Sequence, residues 1–368
     1  MRVVCFKCGT QKEFDPREYR CDCGSPWEPL ERMDFDLQLI DRNASTLWRY
    51  KEIFGLEEVD VLLSLGAGWT PLVDVEFAGA RTWFKLEFVS PTGSFKDRGT
   101  EVEMNYLKVA GVQEVVEDSS GNAGASMAAY AARAGLKASI FAPDSASPAK
   151  LAQIGIFGAE LNKVPGPRIE STRAALKAVE DGAVYASHAY NPVYLLGQQS
   201  AAWELWEQFG QDVPDALVIP TGQGGLLMGA WLGFRRLVNA GMIQKMPRLF
   251  AAQPELLAPI HDAFTQNLDD IPEATPTHKS IAEGLAIVRP VRAKRLLQAL
   301  RESEGGAITV TEEEIMHAYR QLALRGIFAE PSSAVAAAAV PKIREKLGSS
   351  ERIAAALTGS GLKSPLKE

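Results

Sequence analysis

Residues 90–99 read SPTGSFKDRG, and this stretch decides between two views of the chain. A turn-forming Pro-Thr-Gly leads directly into an aromatic residue, a lysine, an acid and an arginine. In one interpretation the stretch is a plain turn that opens a helix, with Lys, Asp and Arg solvated in its first turn. In the other, Lys96 is an amine positioned for chemistry. Motifs elsewhere in the chain distinguish the two.

Composition narrows the class of protein. The chain has 368 residues, of which 46% are hydrophobic and 23% charged, as in a globular protein with a sizeable core. The formal net charge of -7 disfavours nucleic acid and anionic membrane as partners. No apolar run reaches the roughly 18–20 residues that span a bilayer, and the N-terminus has no signal-peptide core. We therefore expect a cytoplasmic enzyme that acts on a small molecule.

All four cysteines fall near the N-terminus, at Cys5, Cys8, Cys21 and Cys23. The first pair is a Cys-x-x-Cys knuckle followed by glycine, which lets two thiolates converge on one metal. The second pair is tighter, with a single spacer. We expect one zinc ion bound by four sulfurs. The alternatives are a ribbon of the same shape that binds metal weakly or not at all, and a disulfide framework, which a reducing compartment disfavours.

Strand and helix patterns alternate along the rest of the chain. Predicted strands at 82–88, 114–120, 137–143 and 216–222 are separated by predicted helices such as 99–111, 121–135 and 148–158. This alternation favours parallel sheets that are covered by helices. Residues 35–80 are predicted to be a helical and loop-rich lead-in, and the glycine pair at 305–306 is predicted to be a surface loop.

The stretch DSSGNAGAS, residues 118–126, predicts a strand, a tight turn and a helix. Free backbone N–H groups at the start of a helix bind a carboxylate or a phosphate. Asn122 adds a side chain that can hydrogen-bond a phenolic oxygen. The alternative is an ordinary capped turn between a strand and a helix.

Two further motifs follow buried strands. In IPTGQGGLLMG, residues 219–229, the glycines let the backbone approach a phosphate closely. The motif is not a P-loop, because no Lys-Ser/Thr follows, and its spacing does not fit a dinucleotide fingerprint. In ALTGSGLK, residues 356–363, the strand ends at Thr358, whose hydroxyl can face a ligand ring.

A lysine amine, an Asn turn, a phosphate loop and a neutral hydroxyl are the parts needed to hold pyridoxal 5′-phosphate as a Schiff base. Their order resembles the fold type II pyridoxal phosphate enzymes of the tryptophan synthase beta superfamily, and specifically the threonine synthase branch. The resemblance runs from about residue 65 to 363. It includes GWTPL, SPTGSFKDRG, SSGNAGAS, AKLAQIGIFGAEL, NPVYLLGQQSAAWELWEQFG, GIFAEPSSA and LTGSGLK.

The resemblance implies an α/β protein with two three-layer αβα domains, mostly parallel sheets and an N-terminal zinc ribbon-like segment at 1–30. Residues 31–95 and 200–368 are expected to form the large domain that binds pyridoxal phosphate. Residues 96–199 are expected to form a small domain that carries the Asn turn. A homodimer is also expected from the family.

The resemblance also assigns roles to residues. Lys96 carries the cofactor, Asn122 contacts its O3′ atom and Thr358 meets its pyridine nitrogen. The full set of expected cofactor-binding residues is Phe95, Lys96, Asn122, Gly222, Gln223, Gly224, Gly225 and Thr358. The expected substrate-binding residues are Ser119, Ser120, Gly121, Ala123 and Lys150. A neutral hydroxyl at the pyridine nitrogen does not stabilise a protonated ring, which favours elimination and replacement over transamination.

Two reactions follow from the resemblance. The threonine synthase branch converts O-phospho-L-homoserine and water into L-threonine and phosphate. The glycine loop and SIAEGLAIVRP at 280–290 are similar to serine/threonine dehydratases, so a dehydratase-like or β-replacement reaction on another amino acid is the alternative. A second phosphate site distinguishes the two, and Lys150, Lys163 and Arg168 are its candidate cations. A non-catalytic relative is a third possibility, against which the intact Lys96 argues. The histidines show no metal spacing and are interpreted as surface or structural.

Overall fold

The computed structural model describes residues 1–30, 34–56, 59, 63–144, 146, 148–276 and 278–364, with the backbone alone for 148–150. The chain forms two compact units. The described residues within 1–32, 36–68 and 90–198 form the first, and those within 33–35, 69–89 and 199–368 form the second. The sequence-based division assigns 31–95 to the large domain, whereas the compact units place 36–68 with the first. Helices and strands follow one another in this order: β1 (Arg2–Cys5), β2 (Gln11–Glu13), β3 (Trp27–Pro29), α1 (Lys51–Phe54), β4 (Leu72–Phe77), β5 (Ala80–Lys85), α2 (Lys96–Val109), β6 (Glu114–Glu117), α3 (Asn122–Ala134), β7 (Lys137–Pro143), α4 (Pro148–Ile156), β8 (Glu160–Val164), α5 (Arg168–Glu180), β9 (Val184–Tyr185), α6 (Pro192–Gln208), β10 (Ala216–Pro220), α7 (Gly225–Asn239), β11 (Arg248–Pro254), α8 (Pro259–Thr265), α9 (Ala293–Glu302), β12 (Gly306–Val310), α10 (Glu312–Ala323), α11 (Pro331–Leu347) and β13 (Ile353–Ala356).

The first unit contains two sheets. The N-terminal segment forms a small antiparallel sheet in the order β2-β1-β3. The main sheet is parallel, in the order β8-β7-β6-β9. Val115 of β6 packs in a core with α2, α3 and α4, while its neighbour Val116 packs in a separate core with α5. Because successive strand residues point to opposite faces, helices cover both faces of this sheet.

The second unit is built on a six-stranded sheet in the order β12-β11-β10-β13-β5-β4. All neighbouring pairs are parallel except β4 and β5, which form an antiparallel hairpin at the edge. Alanines on the face of α11 allow this helix to lie close to the strands, and the residues from Ser332 to Val340 are all buried. The alternating strands and helices of the sequence therefore form an α/β fold with parallel and mixed sheets, as predicted.

Two parts of the second unit differ from the sequence predictions. The lead-in predicted for 35–80 contains strand β4, whose hairpin turns at Ala78 and Gly79, both with positive φ. The glycine pair at 305–306 is not a surface loop. Gly306 begins β12, and Gly305 packs against Leu249 of the neighbouring strand β11. A Cβ atom on Gly305 would lie 1.9 Å from the carbonyl oxygen of Leu249. The glycine pair serves close backbone packing there, which the sequence alone does not distinguish from a loop.

Within the described part of the chain, every helix is too short or too polar to cross a membrane.

Candidate functional site

The stretch at 90–99 forms a turn that leads into helix α2, and Lys96 is the first residue of that helix. Its ammonium nitrogen lies 4.6 Å from the centre of the Phe95 ring. Asp97 and Arg98 are both fully buried, so the interpretation of a solvated first turn is wrong. Because an unpaired charge is costly to remove from water, buried charged residues have partners, and the turn is a fixed structure rather than a surface loop.

Asp97 fixes the turn that carries Lys96. Its carboxylate accepts hydrogen bonds from the backbone N–H of Thr92 at 2.7 Å and from the Thr92 hydroxyl at 2.5 Å. It also accepts one from the hydroxyl of Ser126 on α3, at 2.7 Å. The acid next to the lysine therefore ties the turn to the neighbouring helix, and Lys96 begins α2 from a rigid support.

The predicted Asn turn lies at the end of β6. The hydroxyl oxygen of Ser119 accepts the N–H of Gly121 at 3.3 Å, and Asn122 begins α3. A Cβ atom on Gly124 would lie 2.0 Å from the carbonyl oxygen of Ser119, so only glycine permits this tight return of the chain. The first N–H groups of α3 have no acceptor within the helix, as at any helix start. The described residues that the sequence predicts to bind substrate at this helix start are Ser119, Ser120, Gly121 and Ala123.

A largely buried histidine, His188, lies at the same edge of the sheet, and the sequence does not predict its place there. The backbone N–H of His188 donates to the Glu117 carboxylate at 3.2 Å, and its Nδ1 lies 3.3 Å from the same oxygen. Burial raises the pKa of Glu117 above its ordinary value. Burial, followed by the charges of Lys96 and Arg168, holds the pKa of His188 well below its ordinary value. No spacing in the sequence relates these two residues, because the fold alone brings them together.

The glycine loop of the second unit connects β10 to α7. Gly224 precedes the helix with a φ of 81°, and a Cβ atom there would lie 2.3 Å from the Leu296 side chain. A Cβ atom on Gly222 would lie 3.1 Å from Ile287. The side-chain oxygen of Gln223 accepts the N–H of Val291 at 3.0 Å, which anchors the loop. This loop therefore presents backbone N–H groups rather than side chains.

Thr358 lies at the same sheet edge as the glycine loop. Strands β10 and β13 are parallel, with Val218 opposite Ala355, so both continue past the sheet on one side. Thr358 is 4% exposed, and its hydroxyl lies 3.2 Å from the Ser333 hydroxyl. The Ser333 hydroxyl oxygen also accepts the N–H of Gly359 at 2.8 Å. Ligands of α/β proteins bind at the carboxyl ends of parallel strands, which is where the loop and Thr358 lie.

The neighbouring Gly359 is packed against an acid from the GIFAEPSSA motif. Glu330 precedes helix α11 and is 6% exposed. A Cβ atom on Gly359 would lie 2.3 Å from the Glu330 carboxylate. The N–H of Glu330 donates to the carbonyl oxygen of Gly359 at 2.8 Å. The two C-terminal motifs therefore form one structure.

The groups that each unit supplies match separate parts of pyridoxal 5′-phosphate. The first turn of α7 contains no acidic residue, and its N–H groups suit a phosphate dianion. The hydroxyl of Thr358 is neutral, as a partner for an unprotonated ring nitrogen must be. Lys96 supplies the amine that carries such a cofactor.

The four cysteine sulfurs form one cluster in the N-terminal segment, with all Sγ atoms within 4.8 Å of one another. Cys5 and Cys23 lie 3.4 Å apart, and Cys8 and Cys21 lie 3.6 Å apart, which is too long for disulfides. Four sulfurs around zinc at about 2.3 Å lie about 3.8 Å from one another. Hydrogen bonds from Thr10 lower the pKa of Cys8 to about 6, whereas burial raises the pKa of Cys5. The cluster has the shape of a four-sulfur metal site.

The three candidate cations for a second phosphate lie in different environments. The side chain of Lys150 lies outside the described residues. Lys163 is exposed on β8. Arg168 begins α5 and is exposed, yet its charge still acts on Glu117 and His188. Of the two cations whose side chains are described, Arg168 is the one that acts on the edge of the sheet bearing the Asn turn.

Comparisons with known proteins show which proteins this chain is similar to. The family model described as "Pyridoxal-phosphate dependent enzyme" matches residues 63–359. The chain is 34% identical to a threonine synthase of Methanocaldococcus jannaschii, over 98% of this chain and 92% of that protein. It is 33% identical to a threonine synthase of Synechocystis, over 88% of this chain and 86% of that protein. Among solved structures, a threonine deaminase from the source abbreviated T.th. is 27% identical with a TM-score of 0.69, over 79% of this chain and 92% of that one. A serine racemase from Dictyostelium discoideum is 26% identical with a TM-score of 0.71, over 88% and 100%.

Proposed function

The chain belongs to the family of pyridoxal-phosphate dependent enzymes, and we propose that it converts O-phospho-L-homoserine and water into L-threonine and phosphate. It is a fold type II enzyme that depends on pyridoxal phosphate, and a lyase similar to threonine synthases. The observation that carries the proposed reaction is its identity of 34% to a threonine synthase across 98% of this chain. A likeness of that extent includes the regions that bind substrate as well as cofactor.

We assign the cofactor contacts residue by residue. Lys96 carries pyridoxal phosphate, Phe95 lies beside the ring and Asn122 hydrogen-bonds the O3′ atom. The phosphate binds the backbone of the loop formed by Gly222, Gln223, Gly224 and Gly225. Gln223 contributes through its N–H, since its side chain already accepts the N–H of Val291. When bound, the cofactor withdraws electrons from the amino-acid carbon and makes its proton easier to remove.

Thr358 is proposed to meet the ring nitrogen. A hydroxyl paired with Ser333 stays neutral at all physiological pH values, so it does not hold a proton on the ring. The electron demand of the ring is therefore weaker than with a carboxylate partner. This supports elimination and addition on the substrate side chain over transfer of the amino group.

The substrate is proposed to bind at the start of α3. The proposed substrate-binding residues are Ser119, Ser120, Gly121 and Ala123. The start of α3 that they surround suits the substrate carboxylate, because a helix start favours an anion. Lys150 is proposed to hold the substrate phosphate. A dianion needs charge-assisted hydrogen bonds, and Lys96 is occupied by the cofactor.

A second candidate is a dehydratase-like or β-replacement reaction on another amino acid. Its support is the likeness to the threonine deaminase structure, at 27% identity and a TM-score of 0.69. The two candidates differ in their need for a second phosphate site. An enzyme that removes water from serine or threonine has no phosphate to bind.

The proposed reaction is tested with purified holoenzyme and two substrates in parallel. Release of inorganic phosphate from O-phosphohomoserine, with an equal amount of threonine by amino-acid analysis, is the expected result. Release of ammonia and an α-keto acid from serine or threonine, without phosphate release, would select the dehydratase-like candidate. The Lys96→Ala variant is the control, since it must remove either activity.

The remaining expectations are also proposals. We propose that the cysteine cluster holds one zinc ion that stabilises the N-terminal segment. Because reduced thiolates persist in a reducing compartment, we propose that the enzyme works in the cytoplasm. A homodimer is proposed from the family, and sedimentation of the holoenzyme tests it directly.

A further inference from the structure

Glu117 and His188 meet at the carboxyl edge of the main sheet of the first unit. Strands β6 and β9 are parallel neighbours, with Val116 opposite Tyr185. Glu117 is the last residue of β6, and His188 follows β9 in the loop before α6. The Asn turn that begins at Ser119 leaves β6 at this same edge. The pair therefore lies beside the turn proposed to bind substrate.

Two contacts fix the imidazole ring. The Glu117 carboxylate, 1% exposed, accepts the backbone N–H of His188 and faces its Nδ1 at 3.3 Å. When that carboxylate is ionised, the hydrogen of a neutral ring sits on Nδ1, and Nε2 keeps a lone pair. Nε2 makes no hydrogen bond with any residue that the structure describes. The side chain is 9% exposed, so Nε2 is held in place without being sealed off.

Charged and titratable groups surround the pair from each element that packs against it. Lys96 and Arg168 contribute positive charge, and both lower the pKa of His188. Asp118, next to Glu117, acts on His188 in the opposite direction. It is itself held by hydroxyl groups of Thr172 at 2.5 Å and Tyr185 at 2.9 Å. The remaining neighbours are Glu103 of α2, which interacts with Glu117, and Tyr194 of α6, whose ring centre lies 6.1 Å from that of His188.

We propose that His188, oriented by Glu117, is a second proton-exchanging residue of the Lys96 site. The proposal rests on the reaction proposed above, in which water adds to the substrate side chain. As the water oxygen bonds to the β-carbon of the substrate, Nε2 takes one proton from that water. The imidazolium then returns the proton to solvent, so the protein ends each turnover unchanged and no redox partner is needed.

The surroundings suit this role. A neutral imidazole at neutral pH can accept a proton, whereas a charged one cannot. Burial is the largest cause of the low pKa of His188 and favours its neutral form, and Glu117 stabilises the charge that forms on proton transfer. The same arrangement of carboxylate and imidazole orients the base in hydrolytic triads.

Nuclear magnetic resonance of the holoenzyme tests the protonation state directly. The chain contains only four histidines, so nitrogen-15 histidine labelling gives four ring spectra, and the His188→Gln variant identifies one of them. A neutral ring protonated on Nδ1 at pH 7 is the expected result. A charged ring, or one protonated on Nε2, would overturn the proposal whatever the natural substrate is.

Steady-state kinetics test the role in turnover. In His188→Gln, we expect kcat to fall about 100-fold with KM changed less than about threefold, which is a common contribution of a proton-transfer group. The limb of the pH profile that reports the base should disappear, while the absorbance of the bound cofactor stays unchanged. Glu117→Gln should show a smaller loss. His261→Gln, on α8 next to Asp262, is the matched control and should retain full activity.

A His188→Gln enzyme that binds cofactor and keeps kcat close to that of wild type would refute the role. If wild type releases no phosphate from O-phosphohomoserine, the proposed reaction fails separately. The same variants are then measured with serine, and a kcat of His188→Gln equal to that of wild type there would overturn a role of His188 in proton exchange. If no substrate reacts, the tautomer measured by magnetic resonance decides.

Discussion

A buried ion pair supports the strand that ends beside Thr358, and breaking it should destabilise the second unit. Lys85, the last residue of β5, donates to Glu204 at 2.9 Å, to the carbonyl of Thr70 at 2.6 Å and to the side-chain oxygen of Gln208 at 2.9 Å. The side chains of Lys85 and Glu204 are 2% and 0% exposed. In register, Lys85 lies opposite Ala356 of β13.

The change is Lys85→Met, which keeps the length of the side chain and removes its charge. Thr70 retains a donor, because Gln208 Nε2 lies 2.9 Å from its carbonyl oxygen. Glu204 keeps the N–H of Trp69, at 2.7 Å, but loses the cation with which it is paired. Because breaking a buried ion pair by removing one partner is strongly destabilising, the free energy of unfolding should fall by about 3–5 kcal/mol.

Urea denaturation of the holoenzyme, followed by tryptophan fluorescence, measures this loss. The double variant Lys85→Met/Glu204→Gln should recover all but about 1 kcal/mol, since neither partner of the pair then carries a charge. Arg81→Met breaks an exposed pair with Asp74 on the same hairpin and should lower the stability far less, because water screens that pair. If Lys85→Met costs no more than Arg81→Met, the pair is not isolated from water and the reasoning fails. If Lys85→Met does not fold, Glu204→Gln alone still measures the loss of the ion pair.

Four further outcomes are expected. Borohydride reduction followed by peptide mapping should place the pyridoxyl mass on Lys96, and a label on another lysine would exclude the assignment. Metal analysis of protein purified without chelator should give about one zinc per chain, and Cys8→Ser should lower both zinc content and the melting temperature. Gly224→Ala should weaken cofactor binding about tenfold or more, because φ of 81° costs an alanine about 1–2 kcal/mol and Leu296 must move; equal affinity would contradict the loop assignment. Lys150→Ala should raise KM for O-phosphohomoserine while the cofactor absorbance stays normal, and an unchanged KM would remove Lys150 from the phosphate site.

Much of the fold follows from local patterns in the sequence. The small residues and flanking glycines of α3 predict a helix, and the continuous apolar run of β10 predicts a buried strand. Such patterns depend on residues close in the chain, which the sequence displays directly. The turn at 90–99 is recognisable for the same reason, as one contiguous stretch. The order of several such motifs then indicates the family.

The parts that escape prediction depend on residues far apart in the chain. Glu117 and His188 are 71 positions apart, and only the pairing of β6 with β9 makes them neighbours. The sequence shows a histidine without metal spacing and an acid at the end of a strand, neither of which signals a pair. The glycine pair at 305–306 has the local pattern of a loop. Its close contact with the strand of Leu249 is not visible in the sequence, because that strand is distant along the chain.

The contact between Glu330 and Gly359 implies that these two positions change together in evolution. Any side chain at 359 would occupy the space that the carboxylate fills, at 2.3 Å. A larger residue at 359 would therefore require a smaller or displaced side chain at 330. Without that second change, the turn after Thr358 would be lost. Among related sequences, we expect glycine at 359 to be inherited together with the acid at 330, and chimaeras that exchange only one of the two stretches to fold poorly.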